Sequence, residues 1–173
     1  SKFFGERRPV EQVNWTEALR FCQELTLLER KAGRLPDGWE YTLPTEAQWE
    51  CAARGSKATS TSANTWQGTF PESNVATDGH VGLAPVASYE ANSRGVHDML
   101  GNAWEWCSDW YSVTTYARGD GHHNPTGPLS GEVDDPQSVK PRKVLRGGSF
   151  LCSPSYCRRY RPAARNPVEA DTT

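Results

Sequence analysis

Residues 56–94 carry no sustained hydrophobic periodicity; Gly, Pro, Asn, Ser and Thr alternate with isolated aromatics, and a second polar insertion spans 114–141. Irregular runs this long are uncommon inside a compact domain unless a metal or a similar tie holds them. The first run is not low in complexity, because Trp66, Phe70 and Tyr89 are spaced as anchors. With 15 glycines and 12 prolines the chain favours a loop-rich fold, and its seven tryptophans suggest a core built from large rings.

Regular elements are confined to the remainder. Asn14-Trp15-Thr16-Glu17 reads as a capping box, and Ala18, Cys22, Leu25 and Leu28 follow at helical spacing, which predicts a helix from Trp15 to Lys31. Leu35-Pro36-Asp37-Gly38 is a turn, and Trp39–Leu43 reads as a short strand. Thr45-Glu46-Ala47-Gln48 is a second capping box, opening a short helix that ends near Gly55. Trp104–Tyr111, Val144–Phe150 and Tyr156–Ala163 read as strands. No internal repeat is evident, and 173 residues suit one α+β domain of ordinary size.

The hydrophobic and charged fractions, 36% and 23%, belong to a globular chain. A net charge of −2 gives no global reason to bind nucleic acid or an anionic membrane. No run of about 18 apolar residues exists to span a bilayer, and the first residues lack a signal-peptide shape. Basic residues nevertheless crowd the last part: Arg142, Lys143, Arg146, Arg158, Arg159, Arg161 and Arg165. They form either a solvated face or a polar groove beside two cysteines.

Those cysteines, Cys152 and Cys157, flank Ser-Pro-Ser-Tyr, and a turn at Pro154 can face both sulfurs inward. Three chemistries suit the pair. A disulfide is the common fate of close cysteines in an oxidising compartment. Two thiolates suit a soft ion, for which Cu(I) is the natural choice. Zinc ranks last because further ligands are lacking, unless His122 and His123 fold back. Five cysteines is an odd count, so at least one stands outside any intramolecular disulfide.

Asp98-Met99-Leu100-Gly101-Asn102-Ala103-Trp104-Glu105 offers two carboxylates and several carbonyls to a hard cation such as calcium. Alone this pattern is weak, and a surface Asp with a buried, paired Glu is the better reading of it.

Arg146-Gly147-Gly148-Ser149, Cys152, Cys157, Arg159-Tyr160-Arg161 and Ala163-Ala164-Arg165, with Gly101-Asn102-Ala103-Trp104-Glu105-Trp106, closely resemble the formylglycine-generating enzymes. The resemblance runs from Pro9 to Arg165 and implies an irregular, loop-rich α+β fold related to C-type lectins. It implies oxidation of a cysteine in an unfolded sulfatase segment, Cys-x-Pro-x-Arg, to an aldehyde by dioxygen, with a thiol reductant. Carried over, Cys152 and Cys157 are the Cu(I) ligands and redox pair, Ser149 stands beside the bound oxygen species, and Trp104, Tyr156 and Arg159 line the substrate groove. Structural Ca2+ is implied on Asp98, Gly101, Ala103 and Glu105. A second calcium is implied on Asn64, Thr65, Asp78 and His80, within a segment containing Trp66-Gln67-Gly68.

Several of these motifs, such as Leu43-Pro44-Thr45-Glu46 and the Gly-Asn-Ala-Trp-Glu-Trp run, occur across a wider superfamily, so they argue fold rather than reaction. The cysteine pair selects the aldehyde-forming branch. A non-catalytic binding module and an iron-dependent sulfoxide synthase are the alternatives. Ala53 and Pro162 stand where some members, notably animal ones, have a disulfide, which suggests a bacterial-type enzyme and favours a bacterial cytoplasm. Cys22, Cys51 and Cys107 then read as buried thiols. By the same resemblance, residues 1–173 form a single catalytic domain lacking an N-terminal part and a closing strand beyond Thr173.

Overall fold

Asn14 and Glu17 close both halves of a capping box. The Asn14 side chain accepts from the Glu17 N–H at 2.9 Å, and the Glu17 carboxylate accepts from the Asn14 N–H at 2.8 Å. They start helix α1 (Trp15–Lys31), whose last turn carries Arg30 and Lys31 where the helix dipole favours cations. Four elements follow in the computed structural model, which describes residues 3, 5–55, 63–117, 123–131 and 139–173. They are α2 (Glu46–Ala53), β1 (Glu105–Trp110), β2 (Arg142–Arg146) and β3 (Asn166–Glu169). The strands make one sheet in the order β1-β2-β3. No described helix is long and apolar enough to cross a membrane.

The chain divides into two compact units. One comprises Ser1–Glu11, Ala47–Glu105 and Leu145–Asn166; the other comprises Gln12–Glu46, Trp106–Val144 and Pro167–Thr173.

The second unit holds α1 and most of the sheet. Two of its tryptophans pack with their polar edges satisfied: the Trp15 indole donates to the Cys107 carbonyl at 2.9 Å, and Trp106 donates to the Val13 carbonyl at 3.0 Å. The Lys143 ammonium lies 4.0 Å from the Trp15 ring centroid and 3.8 Å from that of Trp110, and donates to the Ser108 carbonyl at 2.8 Å. Burial pushes its pKa down to about 8, against a smaller upward pull from Asp109.

The first unit holds most of α2 and is otherwise irregular. Its core includes Trp49, Ala53, Leu83, Ala84, Met99 and Leu100. Arg146, fully buried, places its guanidinium 5.1 Å from the Trp49 ring centroid, pairs with Glu50 at 2.7 Å and also donates to the Pro162 carbonyl.

Several expectations need correction. Trp39–Leu43 is not a strand, because the Tyr41 N–H donates to the Thr26 hydroxyl at 2.8 Å rather than to a neighbouring strand. Tyr156–Ala163 is a series of turns closed by local bonds such as Cys157 N–H to the Ser153 carbonyl and Ala164 N–H to the Arg161 carbonyl, both 2.9 Å; the strand begins only at Asn166. On α1, Leu28 is exposed. Among the tryptophans only Trp49 is buried outright, and Trp39 is exposed, since so large a ring seldom fits wholly inside. Lys143 and Arg146 belong to neither a solvated face nor a groove, being buried. Of the three remaining thiols only Cys107 is buried; Cys22 is partly covered and Cys51 is exposed on α2.

Candidate active site

β2 ends at Arg146, and the next two residues turn the chain through left-handed conformations, φ +86° at Gly147 and +77° at Gly148. A Cβ at Gly148 would sit 2.8 Å from the backbone of Tyr160, so glycine lets the outgoing chain lie close against the returning one. Between these passes runs the cysteine loop. The Cys152 N–H donates to the Ser149 carbonyl at 2.9 Å, and the Tyr156 N–H donates to the buried Ser153 hydroxyl at 3.1 Å. These turns bring Cys152 Sγ and Cys157 Sγ to 2.8 Å, both as free thiols. A disulfide bond would be about 2.05 Å long, so the sulfurs are in contact without being joined. Cys152 is buried, which pushes its thiol pKa up to about 12, helped by Cys157; hydrogen bonding from Ser149 pulls the other way.

Three chain segments meet behind this pair. Asn64 and Gly101 form a parallel bridge. The Gly101 N–H donates to the Gly147 carbonyl at 2.7 Å, the Phe150 N–H to the Asn102 carbonyl at 2.9 Å, and the Trp66 N–H to the Cys152 carbonyl at 2.8 Å. The glycine–asparagine motif, the 63–67 segment and the cysteine loop are thus one hydrogen-bonded assembly.

Each of the other two segments presents a buried oxygen with no partner, Asn64 Oδ1 and Asp98 Oδ1. Leaving such an atom unmet costs roughly 1–3 kcal/mol, and a hard cation would meet it. Around Asn64, the Asp78 carboxylate accepts from the Thr65 N–H at 3.1 Å and the His80 N–H at 3.0 Å, which places Asn64, Thr65, Asp78 and His80 together. Around Asp98, the Glu105 carboxylate accepts from the Trp49 indole at 2.6 Å, and its pKa is raised to about 7 by burial and then by the Asp98 charge. Gly101 and Ala103 lie between those carboxylates in sequence. Among the described residues no three His, Cys, Asp or Glu side chains converge as a metal group. The unmet oxygens belong instead to an amide and a carboxylate, hard donors that suit calcium rather than zinc. The two thiols form a soft donor set that suits Cu(I). His122, the other zinc candidate, lies outside the described residues.

Beside the thiols, Tyr156 stacks on Phe70 with ring centroids 4.1 Å apart and planes 12° apart, and Phe70 meets Trp66 edge-on at 5.2 Å. Tyr156 is 67% exposed, so the ladder offers an aromatic surface to solvent. Arg159 is exposed and donates to Asn166 Oδ1; Trp104 is partly buried.

Sequence reasoning assigned no role to Ser153 or Asn102, and read Phe70 only as an aromatic anchor. Asn102 is buried at φ +60°, and its side-chain oxygen accepts from Asn64 Nδ2 and from the Ala84 N–H, both at 2.9 Å. An Asn directly after a glycine hints at left-handed backbone, but its distant partners leave no local signal.

Residues 4–173 match the sulfatase-modifying factor enzyme 1-like domain. A formylglycine-generating enzyme from Streptomyces coelicolor is 42% identical over 95% of this chain and 49% of its own length. The Mus musculus formylglycine-generating enzyme is 36% identical over 95% of this chain and 41% of its own. The chain therefore spans about half the length of the curated relatives it matches. Among solved structures, PvdO from Pseudomonas aeruginosa superposes with a TM-score of 0.70 at 21% identity, over 97% of this chain and 59% of that one, a likeness of fold. By its match to the family model over residues 4–173, the chain belongs to the formylglycine-generating-enzyme family of sulfatase-modifying factors.

Proposed function

We propose that the protein oxidises a cysteine in an unfolded Cys-x-Pro-x-Arg segment of a sulfatase to formylglycine, using Cu(I), dioxygen and a thiol reductant. The observation that carries this reading is the contact of two free thiols, Cys152 and Cys157, at 2.8 Å on a loop bonded to both oxygen clusters. The net change turns a CH2–SH group into CH=O with release of sulfide and water. Dioxygen takes four electrons, two from the substrate cysteine and two from the reductant.

Cys152 and Cys157 would hold the copper, which when bound supplies the activation of dioxygen and a site for the substrate sulfur. Ser149 hydrogen-bonds to the Cys152 sulfur and favours its thiolate, the form a soft ion needs. Tyr156, braced on Phe70, offers a flat apolar face to an extended peptide, with Arg159 and Trp104 as further groove residues. Calcium on Asn64, Thr65, Asp78 and His80, and on Asp98, Gly101, Ala103 and Glu105, would be structural; the two unpartnered buried oxygens support this. The relation of the fold to C-type lectins belongs to the same reading.

Mass spectrometry of a Cys-x-Pro-x-Arg peptide, incubated with the protein, Cu(I), oxygen and a thiol reductant, tests the proposal. Copper-dependent conversion to the aldehyde is expected, with Cys152→Ser and Cys157→Ser each lowering the rate by at least about a hundredfold, the loss of an essential catalytic group. An unchanged peptide together with no copper binding would leave a non-catalytic binding module of the same fold.

A further inference from the structure

We infer that Asn102 is a positioning residue that couples the Asn64 oxygen cluster to the cysteine loop, so that a hard divalent cation bound at Asn64 tightens the Cys152/Cys157 pair. The inference rests on the reading of those buried oxygens as a cation site.

The geometry carries it in two steps. The first concerns the Asn64 amide. Its Nδ2 donates to the Gly82 carbonyl at 2.8 Å and to Asn102 Oδ1 at 2.9 Å. With both amide hydrogens committed, the orientation is fixed and Asn64 Oδ1 must face the other way, where it is buried without a partner. Asn102 Oδ1 is itself held by the Ala84 N–H at 2.9 Å, so the anchor for Asn64 is rigid. Asn102 therefore decides where the Asn64 oxygen points.

The second step is transmission. The Asn102 backbone donates to the Asn64 carbonyl at 2.8 Å and accepts from the Phe150 N–H at 2.9 Å, two residues before Cys152. From Asn64 the chain runs two residues to Trp66, whose N–H donates to the Cys152 carbonyl at 2.8 Å. A cation that orders Asn64 thus restrains the cysteine loop from two sides, once through Asn102 and once through Trp66.

Asn102→Gly tests this cleanly, because glycine keeps the left-handed φ of +60° and deletes only the side-chain bonds. The readout is the rate at which iodoacetamide alkylates Cys152 and Cys157, followed by peptide mass spectrometry with Ca2+ or with a chelator. This needs neither copper, oxygen nor peptide substrate, so its failure is separate from failure of the oxidation reading. In the unaltered protein Ca2+ is expected to slow alkylation by about fivefold or more, the lower end of site-to-site coupling. In N102G the calcium dependence is expected to fall within about twofold. A merely structural Asn102 would raise both rates together and leave their ratio unchanged, which overturns the inference. So does an absence of any calcium effect in the unaltered protein. Asn102→Asp tolerates the same backbone and keeps both accepting bonds, so it covers the case in which N102G fails to fold. A folded N102D that retains the calcium effect while Asn102→Ser, whose shorter side chain loses those bonds, does not retain it supports the inference; retention in both variants, or loss in N102D, overturns it.

Discussion

Gly101 shows how one residue can fix the site. Its φ is +74°, and a Cβ there would overlap the Asn64 carbonyl oxygen and lie 2.9 Å from the carbonyl carbon. Both neighbours are backbone, so they cannot swing aside as a flexible side chain would. Gly101→Ala is expected to lower the unfolding free energy by about 3 kcal/mol, combining left-handed strain with the overlap. Denaturant titration would show this as a lower midpoint, and an unshifted midpoint would mean that the Asn64 bridge is dispensable. The Gly101-Asn102 pair was legible as part of the Gly-Asn-Ala-Trp-Glu-Trp run, and the left-handed backbone at both residues is one that Gly and Asn adopt at low cost. The hub role of Asn102 was not, because Asn64 and Ala84 are brought to it only by the tertiary fold. The cysteine pair was legible for the opposite reason: Pro154 and the serines make its turn from local bonds.

At the scale of elements, α1 was readable to its ends because its stop and start are chemical, an Asn–Glu capping box and a glycine at φ +68° just past Ala32. The strand expected at Trp39–Leu43 failed because Thr26, a side chain on α1, takes the Tyr41 N–H that a neighbouring strand would have used. The one expected at Tyr156–Ala163 failed because its apolar residues sit on successive turns. Lys143 on β2 gives a test of the second unit. Its folded pKa, pushed down to about 8 by burial, lies below the unfolded value of about 10.4. Between those values the unfolded chain binds more protons, so raising the pH favours the folded state; below pH 8 both states are protonated and the slope vanishes. Stability is expected to rise by about 1–3 kcal/mol from pH 8 to pH 10.4. Lys143→Met is expected to abolish that rise in chemical denaturation. An identical slope in the variant would mean that Lys143 titrates normally and that the contact with Trp15 and Trp110 holds its charge.

At the scale of the whole molecule, the long irregular segments remain to be explained. Residues 63–104 contain no helix or strand, yet Ala63, Asn64, Leu83, Ala84, Met99 and Leu100 are buried among them. Part of the order comes from side chains that replace backbone pairing: Asp78 takes two N–H groups, Asn92 caps its own turn through Arg94 and Val96, and Asn102 joins Asn64 to Ala84. That device leaves Asn64 Oδ1 and Asp98 Oδ1 unmet, which loops held by protein bonds alone would have little reason to tolerate. A cation bound only by the folded chain stabilises it by RT ln(1 + [L]/Kd), about 2.7 kcal/mol at a hundredfold excess over Kd. For a chain of this size that corresponds to about 5–10 °C in Tm. Removing calcium with a chelator is therefore expected to lower Tm by several degrees, and restoring Ca2+ to recover it. Mg2+ should not substitute, because it demands a tighter octahedron than mixed carbonyl and carboxylate oxygens on loops can supply. Asp98→Ala should remove part of the calcium response while sparing the Asn64 site, and the double variant with Asn64→Ala should remove all of it. A Tm indifferent to the chelator would assign the order of these loops to the asparagine and aspartate bonds alone, and would leave the two unpartnered oxygens as a standing cost of the fold.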